Sequence, residues 1–318
     1  EQRFIFFSNN FAKGLFPSNF EGSYLHQYFR DPILKNTIEK VKNDLADYSL
    51  NLQIDLNNKN VLFNVKIQPV ISEEKEILYY LIIFIDQDSI SKSIQERNDF
   101  LANASHELKT PLTALQGYIE TLRDVKDEKE KNQFIEILEK HALRMNWIIN
   151  DLLELSRLEE SSKNSILKKD INILNLINDT VNHSENLISK KQIDVSIKCI
   201  RNLSFNLNER LIQEALSNLL QNAIQCSNPK SSIIIKSFLE KNNLNISVQD
   251  FGIGIEKNQI SDIFKRFYRV DKSRSKETGG TGLGLSIIKH IVGVHNGEIK
   301  VDSELGKGSK FTLIIPFS

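Results

Sequence analysis

Three kinds of hydrophobic spacing follow one another along the chain. Over residues 1–86, aromatic and β-branched runs ("RFIFF", "VLFNVKIQPV", "ILYYLIIFI") surround one helical stretch, "DPILKNTIEKVKNDLADY". Asn, Ser and Pro clusters bound these runs, which predicts a small α+β domain. Over residues 87–160 the period lengthens. Apolar residues fall at Leu101, Ala104, Leu108, Leu112, Leu115, Ile119 and Leu122, three or four apart, as along a bundle seam. After the polar turn "RDVKDEKEKN" a second series runs Phe134, Leu138, His141, Met145, Ile148, Leu152, Leu155. Two long amphipathic helices joined this way form an antiparallel hairpin. A lone hairpin buries little, so pairing of two copies into a four-helix bundle is expected, making the protein a homodimer. "EESSKNS" then marks a linker, placed at 161–170. Residues 171–318 return to α/β patterning, with strands in "IDVSIKCI", "SIIIKSF", "LNISVQDF" and "KFTLIIPF" and helices near 172–189, 209–226 and 283–296.

Composition narrows the classes. The chain of 318 residues carries 41 basic and 41 acidic side chains, so no net field draws it to nucleic acid or to an anionic membrane surface. Cys199 and Cys226 have neither metal nor disulfide-framework spacing, which fits a reduced, cytoplasmic compartment. The longest strongly apolar run, residues 79–85, falls far short of the ~20 residues that span a bilayer. The first residue is Glu1 rather than Met, leaving room for an upstream segment. Seven phenylalanines lie within the first thirty residues, and they are expected to form an aromatic core rather than a ligand pocket.

The first candidate for chemistry is "ANASHELKTPLTALQGY", residues 102–118. His106 falls midway between the seam residues Ala104 and Leu108 and so points away from the seam, whereas His141 lies on it. Neutral imidazole is a competent nucleophile near pH 7, and a neighbouring carboxylate such as Glu107 can take its proton. Thr110 shares the exposed face. Pro111 deprives the Glu107 carbonyl of its helical hydrogen bond, which costs on the order of 3 kcal/mol and bends the axis.

"FLANASHELKTPLTALQGYIETL" resembles the H-box of sensor histidine kinases of two-component signalling. The resemblance implies that His106 accepts the γ-phosphoryl group of ATP, that Glu107 is its general base, and that Thr110 positions water during dephosphorylation of a partner. Nucleotide chemistry should then reside in residues 171–318. "NERLIQEALSNLLQNAIQ" places Glu214, Asn218 and Asn222 along one helix face, with Ile212, Leu216, Leu219 and Ala223 opposite. Such a stripe of oxygen-bearing side chains suits a hard cation carrying phosphates, although a solvated polar face has the same pattern. In "DFGIGI", Asp250 can accept a hydrogen bond from an adenine amino group, while Gly252 and Gly254 let backbone approach a ligand; a tight turn has the same signature. "GGTGLGL" brings Gly280, Thr281, Gly282, Leu283 and Gly284 to a helix N-terminus, a ready anion site, without the Gly-Lys-Ser/Thr of a Walker loop.

In order, the asparagine helix, DxGxG, "FKRFYR" and GxGLGL resemble the N, G1, F and G2 boxes of the histidine-kinase ATP domain, an α/β sandwich. That resemblance implies Mg²⁺ on Asn222 and Asn218, adenine on Asp250, phosphates framed by residues 280–284, Arg269 at the γ-phosphate, and a lid over 271–279. One departure is clear. The family carries a basic and then an aromatic residue where this chain has Gln225 and Cys226, which is expected to weaken ATP binding.

Residues 1–86 resemble a PAS sensor domain ending at "FIDQD", with Asp88 where the family has threonine and with no ligand set for haem, flavin or metal. "YFRDPILKNTIEKV" and the H-box are most similar to the phosphate-regulon sensor kinases. This likeness implies a membrane anchor upstream, in a bacterial plasma membrane, and a response regulator as partner. Two other readings remain at this point: a silent or phosphatase-only relative, suggested by Gln225 and Cys226, and an ATPase of the gyrase and Hsp90 type, which leaves the His106 helix unexplained.

Overall fold

In the computed structural model the described residues are 4–16, 20–56, 59–74, 76–160, 167–200, 203–270 and 280–317. They form two compact units, Glu1–Asp99 and Phe100–Ser318. The expected linker residues 161–166 and the expected lid 271–279 lie outside the described residues.

The first unit contains α1 (Asn10–Leu15), α2 (Leu25–Tyr28), α3 (Pro32–Asp44) and the antiparallel sheet β1-β2-β3 (Tyr48–Leu56, Lys59–Ile71, Ile77–Asp86). α3 starts where Asp31 caps the Ile33 amide and Pro32 supplies a helical φ at the first position. Its buried residues Leu34, Ile38 and Val41 pack with Leu52, Phe63, Val65 and Ile67 of the sheet. The aromatic core exists but takes only part of the early phenylalanines. Phe16, Phe20 and Phe29 are buried and stack with one another and Phe84, while Phe6 and Phe7 are exposed. Residues 4–7 do not form a strand: Phe4 makes a single bridge to Tyr24, and Ile5 bonds through its backbone to Ser23 and Gly22. The pairing goes no further, so the ladder on which β propensity acts is not built.

The second unit begins within α4 (Gln87–Leu122), which follows β3 without a loop and remains helical through Pro111. α5 (Glu128–Glu160) completes the hairpin; the charged "EKEKN" is its first turn rather than loop. Acidic Glu128 and Glu130 there suit the positive end of a helix dipole. The long seam of α5 is turned inward, with Ile148 and Leu155 buried. On α4 the stripe divides. Ala104 is buried, but Leu112 and Ile119 remain 46% and 48% exposed, and Leu153 on α5 is 50% exposed.

The rest of the unit is a lobe built on a five-stranded sheet, β5-β7-β8-β10-β9 (Asp194–Cys199, Ser232–Glu240, Asn243–Asp250, Gly308–Pro316, Glu298–Glu304), in which only β5 and β7 are parallel. β4 (Lys169–Asn172) and β6 (Ser204–Leu207) make a separate pair. The helix expected near 172–189 is two, α6 (Ile173–His183) and α7 (Glu185–Lys191), because Ser184 leaves the helical path between them. Over the sheet lie α6, α8 (Glu209–Cys226) and α9 (Gly284–Val294), whose apolar faces share one core with Ile233, Ile235, Ile246, Val248 and Leu313. α8 is capped by Asn208, whose side chain accepts from the Leu211 amide. Among the described residues no helix is long and apolar enough to cross a membrane.

Candidate functional site

α8 is the foundation of the site. Its buried residues Ile212, Ala215, Leu216, Leu219 and Ala223 face the core, so Glu214, Asn218 and Asn222 are held half-exposed on the other side. The Asn218 amide nitrogen donates to the Glu214 carbonyl at 3.2 Å, one turn back. Its oxygen faces Gly284 so closely that a Cβ there would lie 3.0 Å from it. Asparagine helix and glycine loop therefore meet at the start of α9, and carbonyl oxygen is the donor type a Mg²⁺ ion takes.

Asp250 ends β8 and is buried. Its Oδ1 accepts from the amides of Gly252 at 2.9 Å and Ser309 at 3.3 Å. Both bonds fall on the same oxygen, leaving the other for a ligand donor. Burial nevertheless pushes its carboxyl above the usual range, because desolvation outweighs the backbone hydrogen bonds from Gly252, Ser309 and its own amide. The glycines after it are sterically required. A Cβ on Gly252 would lie 2.1 Å from the Cys226 carbonyl oxygen, and one on Gly254 would lie 2.0 Å from that of Glu304, at a φ of +68°.

The glycine loop is fixed by its neighbours. Gly282, at φ +77°, packs against the Phe267 backbone, whose amide donates to the Gly282 carbonyl at 2.9 Å. Leu283 is fully buried. A Cβ on Gly280 would sit 3.6 Å from Arg269 and 3.7 Å from the Gln225 oxygen. Gln225 thus brings a neutral amide to this end of the loop, with the Arg269 guanidinium close by. Thr281 accepts from the Leu283 amide at 3.2 Å and donates to Asp151 Oδ2 on α5 at 2.5 Å.

On α4, His106 is exposed and lines an open depression with Lys109, Thr110, Thr113 and Ala114. Thr110 donates its hydroxyl to the His106 carbonyl at 3.2 Å, a back-bond of the kind that bends a helix, next to Pro111. Glu107 turns the other way. It accepts from Arg144 of α5 at 3.0 Å and lies 4.0 Å from Arg269 of the lobe. Burial, and then the nearby Arg144 charge, lower the Arg269 pKa, while Glu107 opposes them. Phe100 of α4 meets the Phe267 ring at 5.9 Å and lies under the Arg266 guanidinium at 4.9 Å. α4 and the "FKRFYR" segment are in direct contact. His141 is partly buried beside Tyr118, and burial lowers its pKa.

Several participants lie outside the sequence motifs. Arg144, Asp151, Glu154 and Arg210 are spaced like ordinary charged positions on amphipathic helices, and nothing in their pattern sets them apart. Arg210 bridges Glu154 at 2.9 Å and Glu214 at 3.3 Å. Burial, followed by the Glu154 charge, pushes Glu214 up to about 7, with Arg210 pulling it down. Burial likewise raises Asp151.

Comparison with known proteins bears on the assembly as a whole. Residues 96–161 match the His Kinase A (phospho-acceptor) domain, and residues 207–318 match the histidine kinase-, DNA gyrase B- and HSP90-like ATPase domain. The chain is 36% identical over 239 residues to the sensor-like histidine kinase SenX3 of Mycolicibacterium smegmatis, covering 74% of this chain and 62% of that one. It is 33% identical over 268 residues to the sensor protein kinase WalK of Staphylococcus saprophyticus, covering 83% and 44%. The chain therefore spans about half to two thirds of the length of these curated relatives. In fold it is similar to histidine kinase ThkA in complex with the response regulator protein TrrA, with a TM-score of 0.59 at 22% identity over 99% of this chain and 93% of that one. It also resembles the Acinetobacter baumannii histidine kinase AdeS, with a TM-score of 0.55 at 23% identity over 67% and 98%. With a phosphoacceptor module and an ATPase module in one order, and named sensor kinases among its relatives, the chain belongs to the two-component sensor histidine kinase family.

Proposed function

We propose that this protein is an ATP-dependent protein-histidine kinase that phosphorylates His106. A ring nitrogen of His106 attacks the γ-phosphorus, the bond to the β–γ bridging oxygen breaks, and ADP leaves with that electron pair. Glu107 takes the imidazole proton once it turns from Arg144. Arg269 supplies positive charge at the γ-phosphate, and Gly280, Thr281, Gly282, Leu283 and Gly284 hold the phosphates at the α9 N-terminus. Asp250 receives the adenine amino group, with Gly252 and Gly254 close to the ring, and Glu214 borders the site. Asn218 and Asn222 would hold the Mg²⁺ that accompanies ATP, supplying charge neutralisation there.

The observation that carries this reading is the contact between the two halves of the site: Arg269 reaches to 4.0 Å from Glu107, the residue beside the exposed His106. From His106 the phosphoryl group passes to an aspartate on a response-regulator receiver domain, and Thr110 serves the reverse, phosphatase reaction. Two copies join through the exposed apolar rows of α4 and α5. The three-stranded sheet with helices in the first unit supports a PAS-type sensor, and the likeness of "YFRDPILKNTIEKV" to the phosphate-regulon sensor kinases is what supports phosphate starvation as its signal and a plasma-membrane anchor upstream. Incubation with γ-labelled ATP and Mg²⁺ tests the core of this. Acid-labile label on the protein, absent in His106→Ala, is expected; no label on either would overturn the kinase reading. Removal of phosphate from a regulator by an unlabelled protein would show a phosphatase-only relative.

A further inference from the structure

The last turns of α5 hold the lobe by residues of the nucleotide site itself. Leu155 and Leu158 are buried in the lobe core, and the Leu158 carbonyl lies 2.8 Å from His290 Nε2. Glu159 pairs with Arg266, Glu154 with Arg210, and Asp151 with Thr281. These residues recur at helical spacing, so one face of α5 makes all of these contacts, beside those that Phe100 and Glu107 of α4 make. Two of its carboxylates occupy significant places. Asp151 is one hydroxyl away from the Leu283 amide, because Thr281 bonds to both. That amide opens α9, where the helix end favours an anion. Glu154 shares the Arg210 guanidinium with Glu214, on the same face of α8 as Asn218.

We infer that Asp151 is a built-in competitor for the nucleotide phosphates: it engages Thr281 of the glycine loop, so that docking of the lobe on α5 and binding of a nucleoside triphosphate oppose each other. A polyphosphate arriving at the α9 N-terminus meets a carboxylate already bonded to the loop, with Glu154 and Glu214 close behind and one guanidinium, Arg210, between them. Like charges at such separations repel strongly where water is thin. By linkage, whatever docking costs nucleotide affinity, nucleotide costs docking. Bound nucleotide thus helps release the lobe from α5. The competition has meaning only if the lobe binds ATP as proposed above.

Calorimetric titration with a non-hydrolysable ATP analogue and Mg²⁺ tests it on the whole chain. Asp151→Asn keeps the shape and removes the charge, and it is expected to tighten binding about tenfold. Glu154→Gln, which releases Arg210, should shift it the same way by less. Trp147, the only tryptophan, lies half exposed one turn before Asp151, and its emission is followed as the probe of docking. Its emission should change when analogue binds the parent protein, and Asp151→Asn should show much of that change beforehand. Equal or weaker binding by Asp151→Asn, with its melting unchanged, would overturn the inference and assign Asp151 a supporting role in the loop. If Asp151→Asn melts early, the same comparison rests on Glu154→Gln and the Trp147 signal in the parent. Absence of binding by parent and variants alike would instead remove the ATP site, and the competition with it.

Discussion

The helical hairpin and the lobe beside it solve the same burial problem in opposite ways. In the lobe, strands and helices enclose one another: Leu219, Leu220, Ile246 and Leu313 are almost wholly removed from solvent. The hairpin has apolar residues on two sides and covers one of them. Leu112, Ile119 and Leu153 face outward, as do Leu101, Leu143 and Trp147. The lobe is therefore complete as a single copy, whereas the hairpin is stable to the extent that something covers its second face. The candidate site residues follow this division. Asp250 and the glycine loop sit on the closed lobe, while His106 sits on the open helices.

Substitutions can strain each side of the contrast. The largest effect is expected from Leu219→Ala, which should cost about 2–5 kcal/mol through lost burial and an unfilled cavity. Chemical denaturation followed at the lobe should report it, and loss of less than about 1 kcal/mol would mean the lobe is looser than its packing implies. Leu112→Lys should leave lobe melting unchanged but shift the protein from dimer to monomer in sedimentation; a dimer unaffected by that charge would place the partner surface elsewhere. The smallest effect is acid sensitivity. His295 is buried between α9 and α8, with Nδ1 2.8 Å from the Ile291 carbonyl and Nε2 accepting from the Asn208 amide at 3.1 Å. The second bond requires a neutral ring, and burial, with Lys168 adding repulsion, lowers its pKa below the ordinary 6.5. The unfolded chain then binds the proton more readily, so stability is intact above about pH 6.5 and declines as pH falls through and below that value. Thermal melts at stepped pH should show this slope, and His295→Gln should flatten it.

What could be read from the sequence divides along the same line. α8 runs Glu209–Cys226 as its periodicity predicts, because one buried face and an Asn208 cap are local properties. The split of α4 into a covered and an uncovered side could not be read, since Leu108 and Leu112 have the same hydrophobicity and only their neighbours differ. Nor could "RFIFF" be told from a strand, because pairing is decided by a distant partner. Within the site, glycines and asparagines were legible by type and order. Arg144, Asp151 and Arg210 were not: a charged residue on a helix acquires its role from the element packed opposite, which spacing along one helix does not specify.

β3 passes into α4 without an intervening loop, Asp86 closing the strand and Gln87 opening the helix. α4 itself is unbroken from Gln87 to Leu122. A helix advances about 100° per residue, so phase is conserved along it. Inserting a single residue between Gln87 and Phe100 would turn His106 and its exposed neighbours about a quarter of the way around the axis relative to the first turn of the helix. An insertion of seven would nearly restore them. Here length is a setting in angle, and the count of residues between the start of α4 and the histidine carries information that no individual side chain holds.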